Sequence, residues 1–348
     1  MNSASFNKHF LFLLLLINAS LILTGCQSRQ SSRAIFDNYL YRLSNSLDVA
    51  REKSLSAEQL ITYPKKSALS YEIPPLKINI LQFLQLSTCD LQRLVGQRNS
   101  SLGHLMTGYH TLLYEYEFLV LAKRCQHAID RDTRLHEELN KAIAYKEDHL
   151  DRLYWNATFA SDEIRHLFSL GSQVLTHQQL SSKPVELVGA LEYLQVWLSN
   201  PTTDAQQLQQ AYKAIETRKY LGELRLTMTM AISALAQANM FINQRLDQQP
   251  LCQNRRANRK FKVVNNVFRL FYIGEVQPML ARLHQQGQEL FGLIDQLQTS
   301  LAPNQTFIKF WHKVYKAENS EWQRFNESIS VHTKTWQSLL RQCGNLPQ

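Results

Sequence analysis

Glycine is scarce in this chain, with 11 in 348 residues, and low-complexity sequence is absent. Gly-rich phosphate cradles and nucleophile elbows therefore have no material. No Walker loop and no Gly-x-Ser-x-Gly occurs, and past the leader there is no Ser-x-x-Lys. His136-Glu137-Glu138 opens like a zinc-protease motif, but Asn140 stands where its second histidine belongs. Cys-x-x-Cys and clustered Cys/His spacings are missing too, so no metal, cofactor or catalytic set is expected. Exact internal repeats are absent. No apolar run reaches the roughly 20 residues that a spanning helix needs.

One shorter apolar run is present. Residues 1–9 are polar with Lys8 as their positive charge, and residues 10–23 are apolar apart from Asn18 and Ser20. That is the n-region and h-region of a secretory leader. The run ends on Leu23-Thr24-Gly25-Cys26, where small residues precede a cysteine. This spacing predicts a lipoprotein leader over 1–25 and lipidation at Cys26. Two or more acyl chains there anchor stably, at about 0.8 kcal/mol per buried methylene. Gln27, rather than aspartate, matches the outer-membrane sorting pattern. The location predicted is the cell envelope, at the outer membrane and facing the periplasm. Residues 26–33 then read as a polar tether of at most about 25 Å, with Arg29 and Arg33 at the lipid phosphates.

Such a compartment is oxidising. The four remaining cysteines, Cys89, Cys125, Cys252 and Cys343, read as two disulfides among three possible pairings. Cys89–Cys125 and Cys252–Cys343 are favoured, because each pair brackets one contiguous helical region. Chain entropy assigns these loops about 4 and about 4.6 kcal/mol as upper values. The chain carries 38 Lys and Arg against 29 Asp and Glu, a net +9 that falls by one when Lys8 leaves with the leader. The surplus suits anionic headgroups. Nucleic acid belongs to another compartment.

Hydrophobic periodicity predicts an all-α protein, an elongated bundle of long antiparallel helices. Helices are expected over 34–60, up to 97, 102–127, 130–156, 162–168 and 184–198. A long one over 202–246, about 65 Å in length, carries the seam Leu224, Met228, Ala231, Leu235, Ala238 and Ile242. Two more follow over 266–301, kinked at Pro278, and over 305–341. Alternation at Ile78 and Ile80 allows one short strand within 76–86. The body, 34–348, divides naturally into 34–180 and 184–348. Residues 76–168 should form one unit and the three C-terminal helices another, with 34–60 spanning both.

Three stretches carry a further signal: Tyr39-Leu40-Tyr41-Arg42-Leu43, Arg98-Asn99-Ser100-Ser101-Leu102-Gly103 and Leu113-Tyr114-Glu115-Tyr116-Glu117-Phe118-Leu119. Through them the chain resembles the domain of unknown function 3080 family, envelope lipoproteins of Gram-negative bacteria, over nearly all of the mature chain. The resemblance implies an envelope location and supplies no catalytic residues.

Several polar constellations remain to be weighed. Glu163 and His166 have di-iron spacing, but such a bundle needs a second Glu-x-x-His, and none is present. A solvated helix face accounts for them. For Arg98, Asn99, Ser100 and Ser101 two readings stay open. Either Asn99 and Ser100 cap a helix starting near residue 102, or Arg98 hooks an anion at that helix N-terminus. Gly103 and Gly108 would admit a close backbone there. The run Arg255, Arg256, Arg259, Lys260 and Lys262 is either a solvated loop or a contact with an anionic surface, to which Phe261 would add an apolar touch.

Three functions follow. The first is a non-enzymatic, membrane-anchored lipoprotein contacting a partner protein or the membrane surface. The second is a ligand-binding helical module with an anion site near Arg98. The third is an envelope hydrolase using Glu115, Glu117 or Asp162, although Glu115 and Glu117 fall on different helix faces.

Overall fold

The computed structural model describes residues 31–51, 59–74, 76, 89–101, 103–106, 108–171, 173–302 and 304–344. The leader, Cys26 and most of the tether lie outside the described residues, as does the expected strand apart from Leu76. The described residues are helical and contain no strand.

The chain enters through α1 (Ser32–Leu47), whose N-cap Ser31 accepts from the Arg33 N–H at 3.2 Å. Ser31 to Arg33, expected in the tether, thus belong to the cap and first turn of this helix. The helix stops at Leu47, well short of residue 60, because Asp48 takes a left-handed conformation (φ 58°). A single turn, α2 (Lys66–Leu69), follows. Its Leu69 carbonyl accepts from the buried Trp155 indole (2.8 Å) and from Asn304 (3.0 Å).

Next come α3 (Leu91–Arg98), α4 (Tyr109–Ala128) and α5 (Arg134–Ala157). The expected helix over 102–127 begins seven residues late, since Gly108 at φ 54° breaks the helical path. Thr133 caps α5 by accepting from the His136 N–H. The chain continues through α6 (Asp162–Phe168), α7 (His177–Ser181), α8 (Val185–Ser199), α9 (Ala205–Glu216) and α10 (Tyr220–Gln248). The single helix expected over 202–246 is therefore two, parted at Thr217, Arg218 and Lys219. Asp204 caps the first of them.

The C-terminal part departs from expectation through wide turns. α11 (Arg259–Val267) runs through a π-helical stretch (Phe268–Val276) into α12 (Gln277–Thr299). Pro278 breaks nothing, because it enters in the first turn of α12, just after the Gln277 N–H has closed a wide turn onto the Tyr272 carbonyl. The expected last helix is also divided. α13 (Gln305–Trp311) passes into a π turn (His312–Lys316), and α14 (Glu321–Arg341) starts afresh from Ser320, which accepts from the Gln323 N–H.

The buried apolar residues fall into two clusters. The larger gathers α1, the C-terminal end of α5 and the helices after it, including the whole α10 seam. The smaller lies among α3, α4 and the first half of α5, with Phe118, Ala122 and Ile143 inside it. The boundary between the two clusters runs through α4 and α5. α1 packs on α10, α11 and the adjoining π stretch.

Disulfides join Cys89 to Cys125 across the smaller cluster and Cys252 to Cys343 at one end of the larger. Two buried polar devices lock the large core. Arg225 of α10, wholly buried, grips both Glu321 oxygens at 2.7 Å and donates to the Ile61 carbonyl. The Trp336 indole donates to the Tyr39 hydroxyl (2.8 Å) and Tyr39 to His332 Nε2 (2.8 Å). His332 Nδ1 donates to Asn239 Oδ1 (2.6 Å), so α1, α10 and α14 share one chain of hydrogen bonds.

Candidate functional site

The small cluster opens into a cleft of about 590 Å³ between α3, α4, α5 and the residues Ile73, Pro74 and Leu76. That size falls within the range of small-molecule sites. Its polar lining is Arg98 and Asn99 from α3, Tyr114 and Glu115 from α4, and Tyr145 and Lys146 from α5. Helical spacing explains the set. Tyr114, Glu115 and Phe118 lie within one turn of α4, so they meet α5 together. Tyr145 donates to the Pro74 carbonyl and holds the rim to α5.

Glu115 is buried and paired with Lys146 at 2.6 Å. The Lys146 ammonium also stands 5.3 Å from the Tyr114 and Phe118 ring centroids. The Arg98 guanidinium lies 5.6 Å from the Tyr114 centroid, so two cations share this ring's π face. Burial pushes the Tyr114 hydroxyl well up, Glu115 adds to the rise and Arg98 opposes it, so the phenol stays protonated. Two cations against one carboxylate leave the cleft with an excess positive charge, suited to an anionic group bearing hydrogen-bond acceptors.

The sequence-predicted cluster only partly enters this cleft. Arg98 and Asn99 line it, whereas Ser100 and Ser101 do not. The capping expectation holds for Ser100, which accepts from the first N–H of the short turn Gly103–Leu105, and is corrected for Asn99. Asn99 closes the C-terminus of α3, its N–H reaching the Val95 and Gln97 carbonyls, rather than opening α4. The Ser100 hydroxyl donates to the Gln97 carbonyl (2.6 Å) and accepts from the Gly103 N–H (3.1 Å). Arg98 donates to the Gly103 carbonyl. A Cβ at Gly103 would collide with the Gln97 and Arg98 carbonyls, so the close approach expected there is to its own preceding turn. The sequence marked neither Tyr114 nor Lys146 as a site residue, because their roles arise only when α4 meets α5.

The carboxylates weighed as catalysts sit apart. Glu115 answers to Lys146. Burial raises the Glu117 carboxyl, with Arg93 opposing. At Asp162, partial burial is outweighed by hydrogen bonds from Lys66 and Arg165, which hold the carboxyl below its usual range. Glu163 abuts Gly108 at the start of α4. Among the described residues no three His, Cys, Asp or Glu side chains gather as a metal site, and no helix is long and apolar enough to cross a membrane.

The basic run divides as well. Arg255 and Arg256 are exposed on a turn where Asn254 and Arg255 take left-handed conformations (φ 51° and 57°). Arg259, Lys260 and Lys262 belong to α11, not to a loop, because Asn258 caps that helix by accepting from the Phe261 N–H at 2.8 Å. Lys260 pairs with Asp48 at 2.5 Å. Phe261, expected at the surface, is buried in the large core.

Over residues 36–347 the chain matches the family described as protein of unknown function (DUF3080). It belongs to that family. The match takes in both apolar clusters, both disulfides and the cleft, so all of these lie within one family unit. No curated protein and no solved structure matches the chain.

Proposed function

We propose that this protein is a lipid-anchored component of the bacterial envelope, held at the outer membrane by acyl chains on Cys26 and facing the periplasm. Its helical body works by contact, with a partner protein or the membrane surface, rather than by catalysis. The observation that carries the reading is Leu23-Thr24-Gly25-Cys26 at the end of the only long apolar run in the sequence. The two cystines support it, since such bridges persist in an oxidising compartment. Two of the three acids weighed as catalysts support contact over catalysis, because Glu115 and Asp162 are each committed to cations. Cys26→Ser tests the anchor: wild type should take up labelled palmitate and fractionate with membranes, and the variant should do neither. A variant still processed and membrane-bound would refute the reading.

A second reading has an observation of its own. The cleft holding Arg98, Lys146 and Glu115 suits a small anionic envelope molecule. A thermal-shift screen with phosphorylated lipids, lipopolysaccharide fragments and muropeptides should find one that raises the melting temperature of wild type but not of Arg98→Ala. The reading fails if none shifts the wild type, or if the shift survives in Arg98→Ala.

A further inference from the structure

We propose that the outward face of α11 and the adjoining π stretch is a membrane-contact face, laid on anionic phospholipid headgroups of the bilayer that receives the Cys26 lipid. The inference rests on the anchored reading and deepens it by assigning the body an orientation.

Five exposed residues carry it: Arg259, Lys262, Val263, Arg269 and Leu270, continued by exposed Ile273. They recur at helical spacing on the side of the helix opposite the buried Phe261, Val264 and Tyr272. Leu270 is 61% exposed, Val263 48% and Ile273 40%, a solvent-facing apolar strip with cations along it. The strip runs roughly 20 Å at 1.5 Å per residue. Apolar side chains flanked by Lys and Arg are the composition of helices that lie in a membrane interface.

The neighbouring helix extends the face. Two contacts fix α1 antiparallel alongside α11: Asp48 to Lys260 at 2.5 Å, and the Arg42 guanidinium 4.2 Å from the Phe271 ring centroid. α1 adds exposed Tyr41, Arg33 and Arg42. Its acids are already matched, Asp37 by Arg51 at 2.9 Å and Asp48 by Lys260. Glu275 is the one acid of α11 and the π stretch, against Arg259, Lys262 and Arg269, so the face presents a surplus of positive charge, complementary to anionic lipid.

The chain leading to this face is short. Only five peptide steps separate Cys26 from Ser31, which span at most about 18 Å. Antiparallel packing points the α1 N-terminus along the direction in which α11 continues, towards Ile273 and beyond. A lipid on Cys26 thus enters the bilayer beside the end of the strip, and the body lies along the membrane instead of standing off it.

The test uses a chain starting at Gln27, which keeps every residue of the described fold and has no acyl group. It is sedimented with vesicles of phosphatidylcholine alone or mixed with phosphatidylglycerol. Binding should need phosphatidylglycerol and weaken with salt. Combined Arg259→Gln, Lys262→Gln and Arg269→Gln should weaken it about 100-fold, at about five-fold per charge. Leu270→Asp should weaken it further while leaving the melting curve in place. The proposal is overturned if the unaltered chain ignores phosphatidylglycerol, binds both vesicles equally, or binds undiminished with the three cations removed. The comparison of vesicles stands even if a variant misfolds. Because no acyl group is involved, its failure is separable from failure of the Cys26 anchor.

Discussion

Acid should weaken this protein through His332, and replacing that one side chain should remove its share of the loss. His332 is fully buried on α14. The groups facing it are the Tyr39 hydroxyl of α1, Asn239 of α10, the Tyr272 ring of the π stretch and Trp336 of its own helix. No carboxylate stands among them to welcome a proton. Burial pulls the imidazole down to about 3, against about 6.5 in an unfolded chain. The folded state therefore keeps His332 neutral while the unfolded state binds a proton below about pH 6.5. The stability is fully present above that pH and is lost progressively as pH falls towards about 3. The slope is about 1.4 kcal/mol per pH unit, so about 2.7 kcal/mol is lost by pH 4.5. Urea unfolding of wild type and His332→Gln at pH 7 and pH 4.5 measures this. His332→Gln should be weaker at pH 7, and its loss on acidification should be smaller than that of wild type by about 2.7 kcal/mol. Surface carboxylates titrate equally in both chains and cancel. Parallel pH profiles would refute the argument.

Other expectations follow from the same structure. Glu321→Gln should cost about 3–5 kcal/mol by leaving the buried Arg225 charge uncompensated, whereas Arg225→Met with Glu321→Leu should recover most of that loss in denaturant melts. Non-reducing peptide mapping of envelope protein should link Cys89 to Cys125 and Cys252 to Cys343, and four free thiols would contradict the fold and its compartment together.

Much of the fold was legible because buried positions repeat at helical spacing. Every member of the Leu224–Ile242 seam is buried, and Asp162–Phe168 matches its expected bounds. The missed breaks in the long helices share one physical cause. Apolar periodicity runs on through breaks that carry neither Gly nor Pro, as at Thr217, Arg218 and Lys219, and through π turns that shift the register without ending the helix. One signal was present and overlooked: Ser320 with Gln323 has capping-box spacing and marks the start of α14. In the sequence the cleft showed its α3 edge, where Arg98 and Asn99 form a polar break after an apolar run, and Glu115 of α4. Tyr114 and Lys146 enter by tertiary contact alone. The outward strip of α11 was hidden because its N-terminal half was taken for a loop, which split Arg259 and Lys262 from Arg269 and Leu270.

The central claim is that this helical body is tied to a membrane by lipid on Cys26, and the mass of its N-terminal peptide tests it most directly. Wild-type protein isolated from the envelope and digested with trypsin should yield a first peptide that begins at Cys26 and carries the mass of a diacylglyceryl group plus an amide-linked acyl chain. A first peptide that begins elsewhere, or that begins at Cys26 with an unmodified thiol, would contradict the account.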